Sequence, residues 1–142
     1  MPENQKNKLR WNCEQQGCFN QKLRPKLEFL NDAFGGKIAF GDIDGVVEVN
    51  NRFLFLEWKC IGGKPAISFG QDLLYRNLSS RDGICVIVVS GSAETMEVRG
   101  VMVYQGGACG EWLKIDLAGL KNRIGAWYAR AKTSKGRPRE QD

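Results

Sequence analysis

The sequence predicts an α/β fold, one domain in which a central mixed sheet is flanked by helices. Three observations predict it. Segments with apolar residues at helical spacing alternate with segments rich in Val, Ile, Phe and Leu. A continuous apolar run at 84–90 reads as a buried central strand. Glycine- and asparagine-rich stretches separate the segments at the intervals that a layered arrangement needs.

Taken in order, residues 1–8 are polar and read as a frayed end. Leu23, Leu27, Leu30 and Phe34 recur at helical spacing, which predicts an amphipathic helix over about 18–34. Pro25 suits the first turn of a helix better than its middle, and Gly35-Gly36 ends it. Two strands follow, 38–49 and 52–59, with Asn50-Asn51 as the turn between them. Residues 60–66 hold Gly62, Gly63 and Pro65 and read as a loop. Ile67, Gln71, Leu74, Tyr75 and Leu78 predict a helix over 67–78. After the 84–90 strand, an imperfect alternation at 97–104 predicts another strand, and 105–110 a loop. Leu113, Leu117, Leu120, Ile124 and Trp127 predict a last helix to about residue 131. The domain is expected over 1–130, with 131–142 as a flexible basic tail.

Composition narrows the function. The 142 residues are 42% hydrophobic and 26% charged, an ordinary globular balance. The apolar runs are too short to cross a bilayer, and the N-terminus has no signal-peptide stretch, which points to a soluble intracellular protein. There is no histidine, which excludes His-based acid/base catalysis and imidazole-bound zinc. Five scattered cysteines argue against a disulfide framework. A zinc site on Cys13, Cys18, Cys60 or Cys109 has no second close pair to complete it, and core thiols are the better reading. The net charge of +5 resides in the last 22 residues, where Lys121, Arg123, Arg130, Lys132, Lys135, Arg137 and Arg139 face two acids. A nucleic-acid partner would account for this, and so would a solvated tail.

The hairpin concentrates the remaining chemistry. A two-residue turn at Asn50-Asn51 sets Val49 opposite Arg52, Glu48 opposite Phe53 and Val46 opposite Phe55. Extended outward, it sets Asp44 opposite Glu57 and Asp42 opposite Lys59. Alternation then places Asp42, Asp44, Glu57 and Lys59 on one face and Ile43, Val47, Leu54, Leu56 and Trp58 on the other. A one-residue slip would scatter the set. Facing carboxylates repel. A divalent cation held by oxygen ligands, Mg²⁺ with Mn²⁺ as a substitute, relieves the repulsion and suits hydrolysis of a phosphodiester. A surface charge cluster with Lys59 paired to the acids is the alternative.

These residues carry a resemblance. Gly-Asp-Ile-Asp-Gly-Val-Val-Glu at 41–48, followed by Phe-Leu-Glu-Trp-Lys at 55–59, resembles the PD-(D/E)XK nuclease superfamily, without the proline of the motif's name. Asp44 matches its metal-binding Asp, Glu57 the second metal ligand and Lys59 the catalytic lysine; Asp42 competes for the first role. Gln71 and Tyr75 resemble the Gln-x-x-x-Tyr element of the RecB-like branch and of lambda-type exonucleases, although an ordinary helix with a glutamine at its edge would read the same. The resemblance spans about residues 20–90. It implies a restriction-endonuclease-like fold and a Mg²⁺-dependent DNA nuclease, with Asp44, Glu57, Lys59 and Gln71 catalytic. Tyr75, Lys64 and the tail residues Arg130, Lys132, Lys135, Arg137 and Arg139 would contact DNA. Glu14 and Glu28 are candidates for a further carboxylate from the first helix.

Small standalone members include junction resolvases, so a structure-selective endonuclease acting as a homodimer, such as a Holliday-junction resolvase, is the expected substrate class. Exonuclease action in replication or recombination is the runner-up. A non-catalytic nucleic-acid-binding module on the same fold is a second class, and an interaction protein working through its basic tail a third. Trp11, Trp58, Trp112 and Trp127 would stack bases or fill the core; Trp58 and Trp127 fall on apolar faces.

Overall fold

The computed structural model describes residues 25–134. Contacts divide the chain into two compact units, 1–42 and 43–142. No helix among the described residues is long and apolar enough to cross a membrane.

In the first unit the described chain forms a 3₁₀ helix, Leu27–Ala33, with no buried residue. The α-helix expected over 18–34 is therefore not α-helical in its described part, and the rest lies outside the described residues. The Asn31 side chain holds the following turn, accepting from the Phe40 backbone N–H at 3.0 Å. The Phe34 and Phe40 rings meet edge to face at 5.2 Å. Glu28 belongs to this 3₁₀ helix. Glu14 lies outside the described residues.

The second unit is the expected α/β layer arrangement. Its elements are β1 (Gly45–Val49), β2 (Arg52–Lys59), α1 (Phe69–Ser79), β3 (Ile84–Gly91), β4 (Val98–Gln105), β5 (Ala108–Cys109) and α2 (Leu117–Thr133). The sheet order is β1-β2-β3-β4-β5. β2 and β3 run parallel, joined through α1, and the other neighbours are antiparallel. The mixed sheet with helices is as expected, and β2 matches its expected range.

The turn chemistry sets the register. Asn50 and Asn51 both adopt positive φ, 53° and 63°. This is the left-handed pair that a two-residue primed turn requires and that asparagine tolerates. Val49 faces Arg52, Glu48 faces Phe53 and Val46 faces Phe55, the even register the sequence implies.

Alternation on β2 and β3 builds two apolar layers. Leu54, Ile87, Val89 and Val101 pack with Leu120 of α2, joined by the partly buried Leu56, Trp58 and Trp127. On the opposite face Val86, Val88 and Tyr104 pack with Tyr75 of α1. Full burial of each such aliphatic side chain contributes about 1.5–3 kcal/mol. α2 begins four residues later than expected because Leu113 is held in a bridge to Val101, and Asp116 caps the helix by accepting from Gly119 N–H. The loop expected at 105–110 contains the two residues of β5.

Candidate active site

The expected ladder does not reach the acids. Its last pair is Gly45 with Leu56, so Asp44 does not face Glu57 across it, nor Asp42 face Lys59. The reason is local. The Trp58 backbone N–H donates to Asp44 Oδ2 at 2.6 Å, so a side chain takes the place of the next strand carbonyl. The strand expected over 38–49 is shortened to Gly45–Val49. Asp42 lies outside β1 and in the first unit, so the alternation that recruited it does not hold.

Asp44, Glu57, Lys59, Gln71 and Tyr75 nonetheless come together. Glu57 and Lys59 share the β2 face that Phe55 turns towards the α1 layer. Glu57 is buried at 7% exposure, and Lys59 is half-buried. α1 supplies the other wall. Ser68 caps it, its hydroxyl accepting from Gln71 N–H at 3.3 Å. The Ser-x-x-Gln spacing is that of a capping box, in which the glutamine turns back to the cap. Here Gln71 turns to the sheet instead, and Lys59 Nζ donates to its Oε1 at 2.9 Å.

One helical turn on, Tyr75 is buried at 2% exposure. Burial pushes its hydroxyl up to about 12, and the charges of Glu57 and Asp44 add to the shift. Both carboxylates thus act on one phenol, which stays protonated as a neutral donor. Behind it, the Tyr75 and Tyr104 rings meet edge to face at 5.3 Å. Tyr104 Oη donates to Asp72 Oδ1 at 2.6 Å, and Arg76 Nε donates to Asp72 Oδ2 at 2.8 Å. These two bonds, Tyr104 first, hold the Asp72 carboxyl below its usual range and fix α1 to β4. Among the described residues no group of three or more His, Cys, Asp or Glu is placed to hold a metal. Two carboxylates with water completing the shell is a donor set suited to Mg²⁺ or Mn²⁺, which need no all-protein cage.

Ser90 and Arg99, at this end of the sheet, escaped the sequence, and Trp112 was expected only as a base-stacking or core residue. Ser90, fully buried, stands beside Lys59 in the parallel ladder. Trp112 Nε1 donates to Ser90 Oγ at 3.4 Å. The indole lies over Gly100, where an added Cβ would come within 2.4 Å of the ring. Glycine inside a strand marks such close approaches, and this was the available signal. Arg99 reaches the loop after Lys59, its Nη1 2.9 Å from where a Cβ on Gly62 would stand. Nothing in the pattern of an exposed strand residue announces that reach.

The other expected contacts separate. Lys64 is exposed in the loop after β2. Arg130 and Lys132 belong to α2, not to a tail, and Ala131 between them is buried. Arg130 lines a cleft with Arg52 and Gly83, at the end of β2 opposite Lys59. Lys135, Arg137 and Arg139 lie outside the described residues, as do Cys13, Cys18 and Trp11. Trp58 and Trp127 pack against the α2-side core as expected, and the buried Trp58 Nε1 has no hydrogen-bond partner. No family model, curated protein or solved structure matches this chain.

Proposed function

We propose that this chain is a metal-dependent nuclease that hydrolyses phosphodiester bonds in DNA, with Asp44, Glu57, Lys59 and Gln71 as its catalytic group. The observation that carries this is the Lys59–Gln71 hydrogen bond beside two carboxylates whose charges converge on Tyr75. A bare ion-pair cluster would leave the ammonium on a carboxylate. Here Gln71 holds it by a neutral oxygen, which keeps its positive charge for an incoming anion.

Asp44 and Glu57 would hold one Mg²⁺ or Mn²⁺, which when bound supplies charge neutralisation at phosphorus and makes the attacking water more acidic. Lys59 stabilises the negative charge that builds on the phosphate oxygens as the bond breaks. Gln71 fixes Lys59 through its carbonyl and keeps its NH₂ donors for the water or a phosphate oxygen. Tyr75, neutral and buried, walls the carboxylates from α1. Lys64 and Arg99, in and beside the loop after β2, grip the sugar-phosphate backbone. A branched DNA cut by a homodimer is the substrate we place first. Gln71 and Tyr75 on one helix face favour exonucleolytic action as the second reading.

The test uses labelled linear, single-stranded and four-way-junction DNA, and an RNA of the same sequence, with Mg²⁺, Mn²⁺ or EDTA. We expect metal-dependent cleavage of at least one DNA that Lys59→Ala slows at least about a hundredfold. No cleavage of any substrate would end the enzyme reading, and cleavage indifferent to Lys59→Ala would end the site assignment.

A further inference from the structure

A cleft of about 690 Å³ opens at the end of the sheet away from Lys59. It lies where β2 and β3 begin, between the turn that follows α1 and the last turns of α2. Arg52 and Lys59 mark opposite ends of β2, roughly 23 Å apart at the rise of an extended strand. The cleft also opens on the α2 face, to which Cys85, Ile87 and Val103 contribute, not on the α1 face of Glu57 and Lys59. It is a separate site.

Its lining has two chemistries. Arg52, Arg81, Arg123 and Arg130 supply four guanidinium groups against one carboxylate, Asp82. Asp82 is fully exposed and stands 4.0 Å from Arg52. Arg52 is further fixed by donating from Nε to Ser134 Oγ at 2.5 Å. Arg123, Trp127 and Arg130 recur at i, i+4 and i+7 on α2, so an aromatic ring stands between two cations on one helix face. Among the described residues Arg81, Arg123 and Arg130 have no acidic partner. The Cys85 thiol is pushed up by burial, and Arg130 and Arg123 act in the other direction, so both guanidinium groups reach this wall.

The volume is that of a small-molecule site. Four arginines ask for several negative charges, as planar guanidinium forks match phosphate oxygens. The wall of Trp127 and its aliphatic neighbours asks for a flat apolar part in the same ligand. We propose that this cleft binds a nucleotide, its phosphates on the arginines and its base against the Trp127 side. The nucleotide is either free or one unit of a nucleic-acid strand.

Calorimetric titration in EDTA, which removes any metal-mediated binding at the Glu57 site, distinguishes the sources. The probes are ATP, inorganic tripolyphosphate and a twelve-residue oligothymidylate without terminal phosphate. ATP is expected to bind at least tenfold more tightly than tripolyphosphate. Arg123→Gln with Arg130→Gln should weaken ATP at least tenfold, and Arg123→Lys should restore part of the loss. Both arginines are exposed, and circular dichroism verifies that the variants are folded. If the oligonucleotide binds and shows this arginine dependence while ATP does not, the nucleotide is held within a strand. Binding of neither ligand, binding indifferent to the two substitutions, or tripolyphosphate equal to ATP would overturn the assignment.

Discussion

Lys59 on β2 and Gln71 on α1, twelve positions apart in sequence, are joined by a hydrogen bond of 2.9 Å from ammonium to amide oxygen. In the proposed mechanism this bond aims the charge at the phosphate. Lys59→Ala should lower kcat by roughly 10²–10³, the size of effect seen when one transition-state donor is lost. Gln71→Ala leaves the ammonium present but unaimed. It should lower kcat by about 10², with KM changed less, since a small displacement of a catalytic group costs about that much. Single-turnover cleavage with thermal melting as a control tests this pair. An unchanged kcat in Gln71→Ala would remove its positioning role.

Asp44 carries two tasks that substitution separates. It ends β1 by accepting from the Trp58 backbone N–H, and it presents charge to the site. Asp44→Asn retains an acceptor and loses the charge; stability should fall by less than about 1 kcal/mol while cleavage is lost. Asp44→Ala also strands the N–H and should cost about 1–3 kcal/mol. Urea unfolding of the two variants decides it, and equal stabilities would mean that the strand end does not depend on the carboxylate.

Gly100 and Trp112 are in contact that leaves no space for a methyl group. Gly100→Ala should destabilise by about 1–3 kcal/mol through overpacking. A second change, Trp112→Leu, should recover part of that loss. Denaturation midpoints of the single and double variants give the coupling, and strict additivity would refute the close approach.

Tyr75 sets an alkaline limit. Its hydroxyl ionises near 10.0 in the unfolded chain and at about 12 in the folded one. Between those values the folded state keeps a proton that the unfolded state has lost. Stability therefore falls as pH rises through that window, and Tyr75 adds no slope below it. Tyr75→Phe should flatten the fall by up to the slope of one proton. Tyr104 and Cys85, also pushed up by burial, retain their shares. Urea midpoints measured from pH 9 to 11, values bracketing the lower edge of that window, test this. An unchanged slope would mean that Tyr75 titrates normally.

Much of this was legible because it is local. An Asn-Asn turn fixes the register of the hairpin, and the apolar run of Phe53 to Leu56 marks β2, so Glu57 and Lys59 fall together without further knowledge. Helical spacing aligned Gln71 with Tyr75. The end of β1 was not legible. Asp44 imitates a backbone acceptor, and alternation alone extends the pattern through it to Asp42. Ser90, Trp112 and Arg99 depend on which strands lie side by side, and a parallel neighbour such as β3 leaves no trace in the spacing of β2. Charge alone groups Arg130 and Lys132 with the basic tail, whereas both belong to α2. The helix sets Arg130 in the cleft with Arg52 and Gly83, at the end of β2 opposite Lys59.

The hairpin turn is also clasped to the end of the last helix. Asn50 Nδ2 donates to the carbonyl oxygens of Ala131 and Ser134, 81 and 84 residues later. A ribosome adding about 5–20 residues per second makes the first partner wait roughly 4–17 s for the second. Through that interval the face of β2 that carries Leu54 and Trp58 has no helix over it. The order of synthesis thus sets a period of exposure, ended only when α2 emerges and the clasp closes.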